Sequence, residues 1–72
     1  MLAPYIKEAM HNARYKILAD GAFFGQIPGI HGVWASTATL EACRDELKDV
    51  LREWIAFSLV KGLPIPDIDT GN

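Results

Sequence analysis

Residues 13–27, ARYKILADGAFFGQI, decide the fold of this chain. They contain two runs of strand-forming residues on either side of Asp20-Gly21. Such a dipeptide between apolar runs is a strong signal for a β-hairpin. The stretch therefore predicts two antiparallel strands joined by a tight turn.

Two turn lengths are compatible with this hairpin. A two-residue turn at Asp20-Gly21 mixes apolar and polar side chains on both faces, whereas a three-residue loop, Ala19–Gly21, separates them. The three-residue loop groups Tyr15, Ile17, Phe23, Gly25 and Ile27 on one face, and Arg14, Lys16, Leu18, Phe24 and Gln26 on the other. Because strand side chains alternate strictly, we predict the three-residue loop.

The residues after the hairpin predict a third strand and a long helix. Pro28 has no N–H for a sheet ladder and ends the second strand, and Val33–Ser36 is expected to form the third. Either Thr37 or Thr39 can cap the helix that follows, which is expected to span 40–61. Its predicted apolar stripe consists of Cys43, Leu47, Val50, Leu51, Trp54 and Phe57.

The two ends of the chain complete the predicted domain. Apolar residues recur at helical spacing near the start, at Leu2, Tyr5, Ile6, Ala9 and Met10. Near the end, Pro64-Ile65-Pro66 leave room for one short edge strand. We predict a single α+β domain over 1–72, with two layers and the order α-β-β-β-α. Its parts are an N-terminal helix (1–12), a three-stranded antiparallel sheet (13–37), the main helix (39–62) and a tail (63–72).

Composition limits the class of function. The net charge of −2 argues against a surface that coats nucleic acid, because such surfaces are normally basic. The single cysteine, Cys43, cannot form an internal disulfide, which fits a reducing compartment. Since the sequence shows neither a signal peptide nor an apolar run of membrane length, we predict a cytoplasmic protein.

The side chains that usually carry chemistry are isolated in this sequence. A metal site requires several ligands at close spacing, and the two histidines, His11 and His31, have no such neighbours. Cys43 lies on the apolar stripe of the main helix, without a base to activate it. We expect no catalytic residue, no metal and no cofactor.

The outer face of the predicted sheet carries aromatic and basic residues. Exposed aromatic rings with basic neighbours are typical of protein interfaces. Our candidates for partner binding are Arg14, Lys16, Phe24 and Trp34. In an alternative interpretation, the N-terminal helix or the tail covers the two rings.

The main helix is longer than the sheet on which it packs. It spans about 33 Å, whereas strands of six residues span about 20 Å. Its last turns are apolar nearly all round and must pack on the N-terminal helix or on another subunit. The short N-terminal helix covers only one side, so we predict a homodimer or higher symmetric oligomer. The candidate interface residues are Trp54, Ile55, Phe57, Leu59 and Val60.

Several short motifs follow one another in a particular order. They are Tyr15-x-Ile17, Asp20-Gly21, Phe23-x-Gly25-x-Ile27-Pro28-Gly29, Gly32-Val33-Trp34-Ala35, Thr39–Cys43 and Leu63–Pro66. Their order and spacing over residues 13–66 resemble the HicB-like antitoxin family, especially its small single-domain members. The resemblance implies a helix-backed sheet related to part of the ribonuclease H fold. It also implies an antitoxin that binds and blocks a small basic HicA-type mRNA interferase toxin.

Two further expectations depend on this resemblance. HicB-like antitoxins often carry a C-terminal DNA-binding segment, whereas this chain ends soon after the main helix, so we expect no direct DNA binding. A nuclease related to ribonuclease H requires carboxylates that converge on metal ions. The predicted strands carry none apart from Asp20 at the hairpin tip, so we expect no enzyme activity. The alternative function is a structural or adaptor protein without a toxin partner.

Overall fold

The computed structural model describes residues 2–66 and contains five elements in the predicted order. They are helix α1 (Leu2–His11), strands β1 (Arg14–Ile17), β2 (Phe23–Gln26) and β3 (Trp34–Thr37), and helix α2 (Leu40–Lys61). The strands form one antiparallel sheet in the order β1-β2-β3. Helix α2 packs against β2 and β3, and α1 packs against α2. The predicted α+β class and element order are confirmed.

The β1–β2 hairpin has the predicted three-residue loop. Ile17 pairs with Phe23, and the amide of Leu18 donates a 2.8 Å hydrogen bond to the carbonyl of Ala22. Gly21 adopts a φ of 90°, a conformation that residues with a side chain rarely adopt. The register that separates apolar from polar side chains is the one that forms.

The structure shifts the predicted third strand by one residue and shows which threonine caps α2. Strand β3 begins at Trp34, one residue later than predicted. The side-chain Oγ1 of Thr39 accepts a 3.1 Å hydrogen bond from the amide of Ala42, so Thr39 is the cap of α2. Thr37 instead donates its hydroxyl hydrogen to the carbonyl of Thr39, at 2.7 Å. It therefore supports the bend between β3 and α2.

The core lies between the inner face of the sheet and the two helices. Its buried apolar residues are Ala9, Ile27, Ile30, Val33, Ala35, Cys43, Leu47, Leu51 and Ile55. The buried stripe of α2 ends with Ile55 and Ser58, and the prediction that it includes Phe57 is wrong. The buried side of α2 follows steps of four residues, from Cys43 through Leu47 and Leu51 to Ile55. Phe57 lies roughly 100° around the helix from Ser58 and is exposed.

Helix α1 closes one side of this core. Ala9 is fully buried, and Tyr5, Ile6 and Met10 pack against the core, while the side chain of Leu2 lies outside the described part of the structure. The Tyr5 hydroxyl donates a 2.6 Å hydrogen bond to the carbonyl of Pro66. This bond joins α1 to the segment that follows α2.

The short edge strand for which residues 64–66 leave room is not formed. Residues 63–66 have no strand conformation. Pro64 and Pro66 have no N–H to donate to a ladder, so Ile65 alone has an amide available. Ile65 instead packs against the core. The rest of the predicted tail, residues 67–72, lies outside the described residues.

Gly25, at the centre of the sheet, provides a stability prediction. A Cβ atom there would lie 2.9 Å from the Tyr15 ring and 3.1 Å from the Cys43 Sγ. Because Cys43 is fully buried, it has little room to move. We expect Gly25→Ala to lower the free energy of unfolding by about 1–3 kcal/mol. Urea denaturation measures the loss.

The control for this substitution is Gln26→Ala, at the exposed next position of β2. We expect the control to change the free energy of unfolding by less than about 0.5 kcal/mol. A Gly25→Ala variant as stable as the wild type would contradict the close packing of Tyr15 and Cys43 on β2.

Candidate functional site

The outer face of the sheet, on the side away from α2, brings the four predicted partner-binding residues together. Two cross-strand rows cover this face: Arg14, Gln26 and Trp34 in one, and Lys16, Phe24 and Ser36 in the other. We call these six residues the aromatic face. Their neighbours along each strand lie on the opposite face, because strand side chains alternate between faces. Ile17 lies on that face too, but beyond the cover of the helices, and it is 67% exposed.

The two rings of the aromatic face stack on each other. The ring centroids of Phe24 and Trp34 are 5.9 Å apart, with 23° between the ring planes. The Nζ of Lys16 lies 5.4 Å from the Phe24 centroid, within range of a cation–π interaction. Trp34 is 55% exposed and Phe24 is half-buried. The arrangement offers a partner a rigid apolar surface with a positive charge beside it.

The structure shows whether the N-terminal helix covers the rings of Phe24 and Trp34. Helix α1 packs on α2 and the core, on the inner side of the sheet, and Trp34 remains mostly exposed. The alternative in which the N-terminal helix covers the rings is therefore wrong. Of the tail (63–72), residues 63–66 are described and Ile65 packs against the core, away from the rings. A cover by residues 67–72 would lie outside the described residues.

Two members of the aromatic face, Gln26 and Ser36, are not among the sequence candidates. The hairpin register places Gln26 on the outer face, but its side chain is neither aromatic nor charged and gives no binding signal by itself. Ser36 lies two residues after Trp34, and the alternation of side chains along β3 identifies it once the strand is recognised. Both side chains are exposed and can form hydrogen bonds with a partner.

The predicted oligomer-interface residues occupy three different environments. Ile55 is buried in the core of its own protomer, which leaves it no surface for another subunit. Trp54 is half-buried and packs against that core. Phe57 and Leu59 are each 55% exposed, and Val60 is 84% exposed. The last three form an exposed apolar end of α2.

Cys43 and Tyr15 show no sign of a reactive site. Burial raises the pKa of the Cys43 thiol, and nearby Glu46 raises it further. Burial also raises the pKa of the Tyr15 phenol, partly offset by the Arg44 charge. Since the thiolate is the nucleophilic form of cysteine, a raised pKa disfavours reactivity. Cys43 is instead a core residue, with its Sγ 3.5 Å from the carbonyl of Ala35.

Metal-ligand clusters and membrane-spanning helices are both absent from residues 2–66. No group of three or more His, Cys, Asp or Glu side chains in this part of the chain could hold a metal ion. None of the helices described is long and apolar enough to cross a membrane.

The fold and this surface define a small α+β protein whose candidate site is an exposed aromatic sheet face. The crystal structure of TTHA0281 from Thermus thermophilus is similar, with a TM-score of 0.88 and 38% sequence identity. The similarity covers 93% of this chain and 84% of that one. The UPF0150-like family matches residues 4–66, and the chain belongs to this family. No curated protein matches the chain.

Proposed function

We propose that this protein is a HicB-like antitoxin that binds and neutralises a small HicA-type mRNA interferase toxin. Membership of the UPF0150-like family over residues 4–66 supports this proposal, together with the motifs that resemble HicB-like antitoxins. The observation that carries it is the exposed stack of Phe24 and Trp34 with Lys16 beside it. Such a surface suits a protein partner.

Neutralisation of this kind needs a binding surface and no catalytic group. An antitoxin that covers the active surface of a ribonuclease keeps the RNA out by steric exclusion. Trp34 is the natural anchor, because tryptophan is enriched among the residues that dominate binding energy. Arg14, Lys16, Gln26 and Ser36 surround the rings with polar groups, as at the rim of a protein interface. The protein then acts in the cytoplasm, by binding alone and without a cofactor.

The net charge of the whole chain is opposite to that of the proposed partner, although the charged residues of the aromatic face itself, Arg14 and Lys16, are both cationic. HicA-type toxins are basic, and this chain has a net charge of −2. Opposite net charges speed the encounter of two proteins, mainly through the association rate. Association is then expected to slow as the salt concentration rises.

Co-expression tests the proposed function. We expect a reading frame beside the gene to encode a small basic protein with a catalytic histidine. Expressed alone, that neighbour is expected to stop growth, and co-expression of the present chain is expected to restore it. Continued toxicity when both proteins are present would contradict the proposal. A pull-down that recovers another stable partner, and no ribonuclease, would instead support an adaptor function.

We also infer that a second copy of the chain covers the apolar end of α2. Phe57, Leu59, Val60 and the following Leu63 are all exposed in one protomer. Full burial of each such side chain at an interface contributes about 1.5–3 kcal/mol to the free energy of association. Phe57 and Val60 share one side of α2, whereas Leu59 lies about 200° around the helix from Phe57. A two-fold contact through the side with Phe57 and Val60 buries the same residues on both copies.

Phe57→Asp tests this assembly. We expect light scattering at low micromolar concentration to show a dimer for the wild type and a monomer for the variant, because a charge at the contact is costly to bury. Leu40→Asp is the matched control, since Leu40 is also exposed but lies at the other end of α2. A folded wild-type monomer, or a dimer that survives Phe57→Asp, would contradict the interface.

A further inference from the structure

A cleft of about 420 Å³ lies between α1 and α2, on the helical side of the sheet. Its described lining consists of Lys7, Arg44, Lys48 and Arg52 with the apolar Ile6 and Met10. No described residue with a carboxylate lines it. The chain has seven Lys and Arg residues in total and a net charge of −2. More than half of its cationic side chains therefore meet in one cleft.

The spacing of three of these cations explains why they converge. Arg44, Lys48 and Arg52 recur every four residues, so they form one row along α2. Successive members are about 6 Å apart along the helix axis. Helix α1 adds Lys7 to the same cleft. Like charges at this spacing repel one another. The carboxylates three residues before each cation, Glu41, Asp45 and Asp49, offset part of this repulsion, and a bound anion offsets more of it.

On one side of the row, the surroundings favour a compact anion over a long one. Glu41 and Asp45 line a neighbouring cleft of about 290 Å³ together with Arg44 and Lys48. A polyanion that left the first cleft past Lys48 on this side would meet these two carboxylates, whereas a third cleft of about 350 Å³, lined by Met10, His11, Ala13, Tyr15 and Arg44, has no described carboxylate. A ligand that remains between α1 and α2 contacts the cationic side chains and avoids the carboxylates.

The size and the apolar part of the cleft indicate the chemical class of the ligand. Small-molecule sites usually have volumes of about 300–1,000 Å³. The volume of this cleft lies within that range, although the cleft is open on one side and its four cationic side chains are exposed. Arginine binds phosphate through paired hydrogen bonds, and lysine supplies a compact charge. Ile6 and Met10 offer an apolar surface, and the flexible thioether of methionine adapts well to flat rings.

We propose that this cleft binds a small phosphorylated ligand of nucleotide size. The phosphate groups contact Arg44, Lys48, Arg52 and Lys7, and the organic part packs on Ile6 and Met10. The site is separate from the aromatic face, which lies on the other side of the sheet. The proposal therefore does not depend on the antitoxin function, and its test requires no toxin.

Isothermal titration calorimetry at low salt, with ADP and with inorganic pyrophosphate, tests the site. We expect both compounds to bind, and ADP to bind more tightly because of its organic part. Lys48→Ala and Arg52→Ala are each expected to weaken ADP binding at least tenfold. The matched control is Lys61→Ala, at the far end of α2 and outside the cleft, which is expected to bind ADP as the wild type does.

Several results would overturn the proposal. One is that neither ADP nor pyrophosphate binds at millimolar concentration. Another is that Lys61→Ala weakens ADP binding as much as Lys48→Ala and Arg52→Ala do. Equal affinities for ADP and pyrophosphate would show that Ile6 and Met10 do not bind the organic part of the ligand, and would contradict that part of the proposal. Tighter binding of a short single-stranded RNA, lost in Lys48→Ala, would replace the small ligand with a nucleic acid. Lys48 and Arg52 are exposed, so both variants are expected to fold, and circular dichroism checks this.

Discussion

Leu51→Ala is expected to lower the free energy of unfolding by about 2–5 kcal/mol. Leu51 is fully buried at the middle of the α2 stripe. The substitution removes apolar contacts and leaves a cavity, because the surrounding core relaxes only partly. In a domain whose total stability is about 5–15 kcal/mol, this loss is large. Urea denaturation followed by tryptophan fluorescence measures it.

Val60→Ala is the control for this prediction. Val60 lies on the same helix and is 84% exposed, so its truncation leaves no cavity in the protomer. We expect its free energy of unfolding at concentrations where the protein is monomeric to stay within about 0.5 kcal/mol of the wild type. A loss below about 1 kcal/mol for Leu51→Ala would contradict the packing of α2 on the sheet.

Trp34→Ala is expected to weaken binding of the proposed toxin by about 30-fold or more, which corresponds to a loss of about 2 kcal/mol. The variant removes the larger ring of the stack and leaves Phe24 without its partner. Since Trp34 is mostly exposed, the fold is expected to survive the substitution. The dissociation constant of the purified complex and rescue of growth both measure the effect.

Phe57→Ala is the matched control for Trp34→Ala. Phe57 has the same fractional exposure as Trp34, and it also has a cation near its ring, with the Lys61 Nζ 5.9 Å from the centroid. It lies on α2, away from the aromatic face, so the affinity of each protomer for the proposed toxin is expected to be unchanged. If a folded Trp34→Ala protein neutralises the proposed toxin as well as the wild type does, the aromatic face is not the surface that binds the toxin.

Much of the aromatic face could be predicted from the hairpin alone. Alternation along β1 and β2, together with Gly21 in the loop, placed Arg14, Lys16 and Phe24 on one side of the sheet. These relations involve residues close in sequence, so local geometry determines them. The pairing of Trp34 with Gln26, which brings the second ring beside the first, depends on the register of β3 and was seen only in the structure.

The end of α2 shows where the sequence pattern becomes ambiguous. Between Trp54 and Val60 nearly every direction around the helix carries an apolar side chain, so periodicity cannot distinguish the inner side from the outer one. The structure buries Ile55 and Ser58 and leaves Phe57 in solvent. The side of α2 that faces the core is decided by the elements against which the helix packs. Those elements are distant in sequence from the last turns of the helix.

The sequence by itself determined the order of the elements, the hairpin register and the bounds of α2, because alternation, turn chemistry and capping act over a few residues. Only the tertiary structure decided which face of the last turns is buried and that Lys7 joins the basic row of α2. In the sequence, Arg44, Lys48 and Arg52 resemble an ordinary solvated face with carboxylates three residues away. The packing of α1 against α2 depends on contacts between residues more than thirty positions apart, and no local pattern encodes such contacts.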